Sequence, residues 1–170
     1  MNYQPTDHRN TQAALSLVIA EAMAVLKPPP RQSVAEWADQ ERRLSSEASA
    51  EAGKWHTARA NYQRGIMDAI SDPRNRDVVV MAGAQVGKTE MVLNVIGYHI
   101  AHDPSPILVV QPTLDMAQAF SKDRLAPMLR DTPQLRGKVK DPRARDANNT
   151  TTHKVFPGGH ISLVGSNSPS

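Results

Sequence analysis

Hydrophobic positions recur at helical spacing in the first third of the chain and condense into short apolar runs beyond it. Between Thr11 and Leu26, the residues Leu15, Val18, Ile19, Ala22 and Leu26 lie three or four apart, which predicts a helix. Pro28-Pro29-Pro30 stops it and enforces an extended spacer. Ser33 with Glu36 three residues on is a capping box, and Ala35, Trp37, Ala38 and Leu44 continue a second helix from it. Residues 45–54 are small and polar, close on Gly53, and read as a linker. A third helical segment runs from Trp55 to Ile70, with Ile66, Met67, Ala69 and Ile70 on its apolar face. Ser71-Asp72-Pro73 ends it.

The pattern then changes. Val78-Val79-Val80-Met81 is a short run of β-branched and apolar residues, as expected of a strand buried on both faces. Met91 to Ala101 is apolar nearly all round, which predicts a helix buried against a sheet. Ile107-Leu108-Val109-Val110 reads as a second buried strand, so the three together predict a right-handed βαβ crossover. Gln111-Pro112-Thr113 leaves the sheet, and Thr113 caps a helix through Ser121 with Ala117, Phe120 and Leu125 inward. Residues 131–149, with Pro133, Gly137, Pro142 and several basic side chains, read as a mobile basic loop. Two β-rich runs, Thr150 to Phe156 and His160 to Val164, flank Pro157-Gly158-Gly159 and predict a hairpin.

Candidate chemistry sits between the first strand and its helix. Gly83-Ala84-Gln85-Val86 is a turn of mostly small residues, and Gly87-Lys88-Thr89 opens the helix. Strand, turn, Gly-Lys-Thr and helix in that order form the phosphate-binding loop of nucleoside triphosphatases. Small residues let backbone N–H groups curl around a triphosphate, and the helix N-terminus adds its positive dipole end. Lys88 is placed to reach the β- and γ-phosphates, and the Thr89 hydroxyl to ligate Mg²⁺. Ala82 stands where the pattern has glycine: a positive φ there would cost energy that glycine would not, and a shifted turn led by Gly83 would avoid it. One short helix upstream, Tyr62-Gln63 has the chemistry of an adenine clamp. The ring can stack on the base while the carboxamide donates to and accepts from its edge. ATP with Mg²⁺ is therefore the expected ligand. His99 and His102 read as basic groups at a helix end rather than as a metal pair.

Hydrolysis also needs a carboxylate at the end of a second apolar strand and an acid to activate water. Val78–Met81 leads into the loop, Ile107–Val110 ends in Gln111, and Ile161–Val164 ends in Gly165. No catalytic residue is assigned, and the expectation is MgATP binding without appreciable turnover.

Composition narrows the class only slightly. Of 170 residues, 39% are hydrophobic and 4% aromatic, enough for a core thinly supplied with large rings. Twenty basic against seventeen acidic residues give +3, compatible with nucleic acid without arguing for it. With no cysteine, disulfides and thiolate zinc are excluded and a reducing compartment is the default. The apolar run at 11–26 is too short to cross a bilayer and is broken by Ser16 and Glu21, so neither export nor a membrane span is expected.

Several segments in a fixed order carry a resemblance. They are Tyr62-Gln63-Arg64, Ile66-Met67-Asp68-Ala69, Ala84-Gln85-Val86-Gly87-Lys88-Thr89-Glu90, Gln111-Pro112-Thr113, Leu125-Ala126-Pro127-Met128, Phe156-Pro157-Gly158-Gly159 and Gly165-Ser166-Asn167-Ser168-Pro169. From about residue 33 to the end, the chain resembles the large terminase subunit of tailed bacteriophages, in its lambda-like group. The resemblance implies an α/β fold: a P-loop NTPase of RecA-like or helicase-like type, with a partial parallel sheet and flanking helices. On this reading a helical N-terminal arm and linker (1–53) precedes the first part of the ATPase domain (54–170). That domain ends in a hairpin and is incomplete, since the family's acidic pair and nuclease lie further on. The family implies an ATP-driven motor that moves double-stranded viral DNA into a procapsid through its portal, as a homo-oligomer in the host cytoplasm, coupled to a metal-dependent nuclease. It also implies adenine contacts at Tyr62 and Gln63, triphosphate contacts along the loop, and a small terminase subunit docked on the N-terminus. Many members carry arginine where Ala84 stands. Two alternatives remain open: a helicase-like P-loop ATPase acting on nucleic acid, and a non-catalytic fragment that binds a partner.

Overall fold

A computed structural model describes residues 15–19, 21, 23, 32–139 and 149–167. The chain divides into two compact units, residues 1–31 and 32–170. In the first, residues 15–19, 21 and 23 are helical, within the predicted Thr11–Leu26 span, whose other positions lie outside the described residues. Among the described residues no helix is long and apolar enough to cross a membrane.

In the second unit, helix α1 (Val34–Glu41) begins at the predicted capping box. The Ser33 hydroxyl accepts from the Glu36 N–H at 3.3 Å, and the Ser33 N–H donates to the Glu36 carboxylate at 2.8 Å. The helix stops earlier than its periodicity suggests. Arg42 is extended, and Leu44 belongs to a two-residue strand, β1 (Arg43–Leu44), which pairs antiparallel with β2 (Gly53–Lys54). The expected linker is thus a loop clipped at its base. Trp37 is fully buried over helix α3 (Lys88–Ala101), and a Cβ on Gly97 would lie 2.2 Å from its ring. Burial of that indole, rather than local composition, places residues 32–53 in the same body as α3.

A 3₁₀ turn (Thr57–Ala60) leads into helix α2 (Tyr62–Ser71), whose Met67 is fully buried as its spacing predicts. The Ser71 hydroxyl accepts from the Val34 N–H at 2.7 Å and donates to the Met67 carbonyl at 2.9 Å. One side chain thereby ties the end of α2 to the start of α1. Helix α3 packs against both, burying Met91, Leu93, Ile96, Gly97, Tyr98 and Ile100.

Strand β3 (Ile107–Gln111) pairs in parallel with β5 (Gly159–Gly165), and β4 (His153–Phe156) pairs antiparallel with β5, giving the order β3-β5-β4. Between β3 and β4 run α4 (Leu114–Phe120), a π-helical turn (Ser121–Leu125) and α5 (Ala126–Asp131). Thr113 caps α4 by accepting from the Met116 N–H at 3.2 Å, and Ala117 and Leu125 are fully buried. Part of the expected mobile loop is in fact packed. Thr132 and Leu135 are buried, and the Lys138 ammonium donates to the Ala101 carbonyl at 3.1 Å, at the C-terminus of α3. Residues 140–148 of that loop lie outside the described residues.

Two strand expectations need correction. Residues 77–83 form no strand, and Val79 and Met81 are 92% and 100% exposed. The predicted βαβ crossover through α3 is therefore not formed. A strand buried on both faces needs a neighbour along each edge, and no described segment pairs with this one. Strand β3 is likewise buried only at Val109, with Leu108 and Val110 exposed at 65% and 54%. The architecture is a small mixed α/β sheet with helices, rather than a doubly covered parallel sheet.

Candidate functional site

The turn between Met81 and α3 is closed rather than stretched out. Gln85 and Gly87 both have positive φ, 58° and 72°. Gln85 is the one non-glycine residue in that region of backbone space among the described residues. Ala82 does not adopt it, so the missing glycine of the pattern costs nothing there. Lys88 folds back across the turn, its ammonium donating to the Ala82 carbonyl at 3.3 Å and to the Gly83 carbonyl. Gly87 is the N-cap of α3 and contributes no side-chain cap, which leaves the first-turn N–H groups without that partner.

Helix α2 meets the turn from the side. The Tyr62 hydroxyl and the Gln63 carboxamide both donate to the Val86 carbonyl, at 2.9 and 3.0 Å. Gln63 is 3% exposed and its Oε1 has no partner, a buried acceptor left over. Tyr62 is 61% exposed, so its ring face is open. Around these residues lies a cavity of about 280 Å³, lined by Tyr62, Gln63, Gln85, Val86 and Gly87 on one side. Trp55, His56, Arg59 and the clipped loop at Ser49, Ala50 and Glu51 line the other. Arg59 and Glu51 pair through their charged groups beside it.

A second ion pair sits at the root of α3. Arg42, 2% exposed, holds the Glu90 carboxylate at 2.9 Å, and its guanidinium also donates to the Arg43 carbonyl. Burial pushes the Arg42 guanidinium below its ordinary value, and the Glu90 charge opposes that. Glu90 also lines the cavity.

The site residues chosen from sequence are therefore partly brought together. Tyr62, Gln63, Gln85, Val86 and Gly87 share one cavity. Gly83, Ala84, Lys88 and Thr89 belong to the same turn and helix start but are exposed, outside the cavity lining. His99 bonds to Asp103 and Ser105, and among the described residues no group of acidic or histidine side chains has metal-ligand geometry. Sequence reasoning missed Arg42, Glu90 and the 49–51 loop. An acid directly after Lys88-Thr89 was a visible signal for Glu90, whereas nothing local marks Arg42, which meets it from 48 positions away.

Comparison with known proteins adds the lineage. The profile of the phage terminase large subunit gpA ATPase domain matches residues 49–170. The large terminase subunit of Escherichia phage lambda is 34% identical over 142 residues, covering 84% of this chain and 22% of that protein. The chain belongs to the phage terminase large-subunit family. The large terminase subunit of Enterobacteria phage P21 is 30% identical over 154 residues, 91% of this chain and 24% of its own length. No solved structure matches the chain. The chain spans about a quarter of the length of the curated relatives it matches.

Family membership also gives the resemblance segments a physical reading. Pro157-Gly158 is the hairpin turn, with φ of 89° at Gly158. A Cβ on Gly159 would meet the Ser105 carbonyl at 2.7 Å, and one on Gly165 would meet the Leu114 nitrogen at 2.4 Å. Gly159 and Gly165 are there because backbone approaches backbone, and Gly158 because its turn needs positive φ.

Proposed function

We propose that this chain is the nucleotide-binding part of a terminase motor, holding MgATP between α2 and the N-terminus of α3. The observation that carries it is the convergence of Tyr62 and Gln63 on the Val86 carbonyl, with a buried, unpaired acceptor on Gln63. A buried acceptor without a donor is costly, and the exocyclic amine of an adenine supplies one. The open ring of Tyr62 offers a stacking face. Gly83 to Gly87 and the first N–H groups of α3 hold the phosphates, with Lys88 released from the Ala82 and Gly83 carbonyls to neutralise them. Thr89, second residue of the helix, would be the protein ligand for Mg²⁺, which would supply neutralisation of phosphate charge.

Within the whole protein, this segment supplies ATP binding to the movement of double-stranded viral DNA into a procapsid through a portal. The N-terminal arm, within residues 1–53, docks the small terminase subunit, and the chain works as part of a homo-oligomer in the host cytoplasm. The endonuclease belongs to the remainder of the larger protein. The chain by itself binds MgATP without sustained turnover, because β3 ends in Gln111 and β5 in Gly165 rather than in carboxylates.

Equilibrium binding of a fluorescent ATP analogue in Mg²⁺ tests the reading, with Lys88→Ala expected to weaken it at least about tenfold. Equal affinity in the two proteins would remove the loop from the site. Steady-state phosphate release from the chain, abolished by Lys88→Ala, would overturn the claim that it does not turn over. Capture of the small subunit by the intact chain, lost on deletion of residues 1–31, tests the docking role.

A further inference from the structure

We infer that Arg42 is a positioning residue for triphosphate binding: it draws the Glu90 carboxylate away from the anion site at the start of α3 and cancels its charge. The inference rests on the nucleotide reading above and adds a residue to it. Glu90 is the third residue of α3, after Lys88 and Thr89, and its helix starts at a glycine with no capping side chain. An acid in that position ordinarily turns back to bond the free N–H groups of the first turn. Those are the donors a phosphate requires. A Glu90 side chain folded that way would compete with the ligand for them and repel it.

The structure shows the opposite arrangement. The Glu90 carboxylate is held at 2.9 Å by Arg42, which lies just past the end of α1 and is 2% exposed. The guanidinium is fixed in turn by its bond to the Arg43 carbonyl, and the Arg42 carbonyl accepts from the Trp55 N–H at 3.0 Å across the β1–β2 clip. A buried guanidinium with its Nε unpaired is costly to keep, so a role in stability alone explains it poorly. Charge cancellation beside an anion site explains why an arginine stands there.

Three variants of the chain test this: Arg42→Met, Glu90→Gln and the double substitution. Each competes ATP, ADP and adenosine against a fluorescent ATP analogue in Mg²⁺, with circular dichroism reporting the fold. Arg42→Met frees the Glu90 charge and is expected to weaken ATP on the order of tenfold, ADP less, and adenosine not at all. The double variant again has no net charge at the pair and is expected to return ATP affinity to within about twofold of the parent. Glu90→Gln, whose carboxamide oxygen can still accept from Arg42, is expected to bind ATP at least as tightly as the parent once circular dichroism shows it folded.

Equal weakening of ATP, ADP and adenosine by Arg42→Met, or a double variant as weak as Arg42→Met, would reduce the pair to a structural tie and overturn the inference. So would Glu90→Gln binding ATP more weakly than the parent, a comparison that stands even if Arg42→Met fails to fold. A parent chain that binds no nucleotide would remove the nucleotide reading itself, and this inference with it. A parent that binds while the variants miss the expected pattern would remove the inference alone.

Discussion

The Gln63 carboxamide fills the space that a Cβ on Gly87 would need, its nitrogen lying 2.5 Å from that position. Gly87 also has φ of 72°, which side-chain-bearing residues adopt at a cost of about 1–2 kcal/mol. Two independent constraints therefore meet at one glycine. Gly87→Ala is expected to displace Gln63 from the Val86 carbonyl and weaken ATP-analogue binding at least about tenfold. Titration of that variant beside Gln63→Ala separates the two effects. An alanine variant that binds like the parent would show that the contact between helix and loop does not matter.

Trp37 and Gly97 make the corresponding contact in the core. With the indole fully buried and a Cβ at Gly97 only 2.2 Å from it, Gly97→Ala forces the ring or α1 to move. The expected loss is about 1–3 kcal/mol, read as a lower midpoint in chemical denaturation. The double variant with Trp37→Phe should recover part of that loss, since the smaller ring leaves room.

Acid titration should single out Asp72. Arg74 bonds the carboxylate through its side chain and backbone and holds it at about 2, below the ordinary carboxylate value. A carboxyl held low contributes stability above its unfolded value, and that contribution disappears as pH falls through about 2. NMR titration of the Asp72 carboxyl should report the low value, and Arg74→Ala, which removes the side-chain bonds and keeps the backbone N–H bond, should raise it part of the way back towards the ordinary range.

Exposed apolar groups at 78–81 and on β3 predict self-association. Val79, Met81, Leu108 and Val110 are all more than half exposed, and backbone that pairs with no described strand accompanies the first two. Sedimentation velocity should show mass rising with concentration, and Val79→Lys with Met81→Lys should suppress it. A parent chain that stays monomeric at high concentration would rule this out.

Much of this protein was legible locally because the relevant physics is local. Ser33 and Glu36 satisfy each other's helix-start N–H groups, Thr113 caps its own helix, and Pro157-Gly158 makes its turn with neighbours one or two residues away. The turn at Gln85–Gly87 and the helix start at Lys88 are local in the same way, because their conformation depends on those residues and the helix they open. Tyr62 and Gln63 were recognisable by their chemistry, though their contact with Val86 was not.

What the tertiary structure decided is everything that depends on a distant partner. Whether Val78–Met81 becomes a strand turns on neighbours that no described segment provides, so an apolar run was not enough. Residues 32–53 joined the main body because an indole needed a glycine sixty positions onward, which no periodicity encodes. Arg42 reached Glu90 only once α1 had been laid beside α3. Sequence specified caps, turns and a loop, since each is settled within a few residues; burial and charge pairing required the chain to be folded, since they are properties of surfaces brought together.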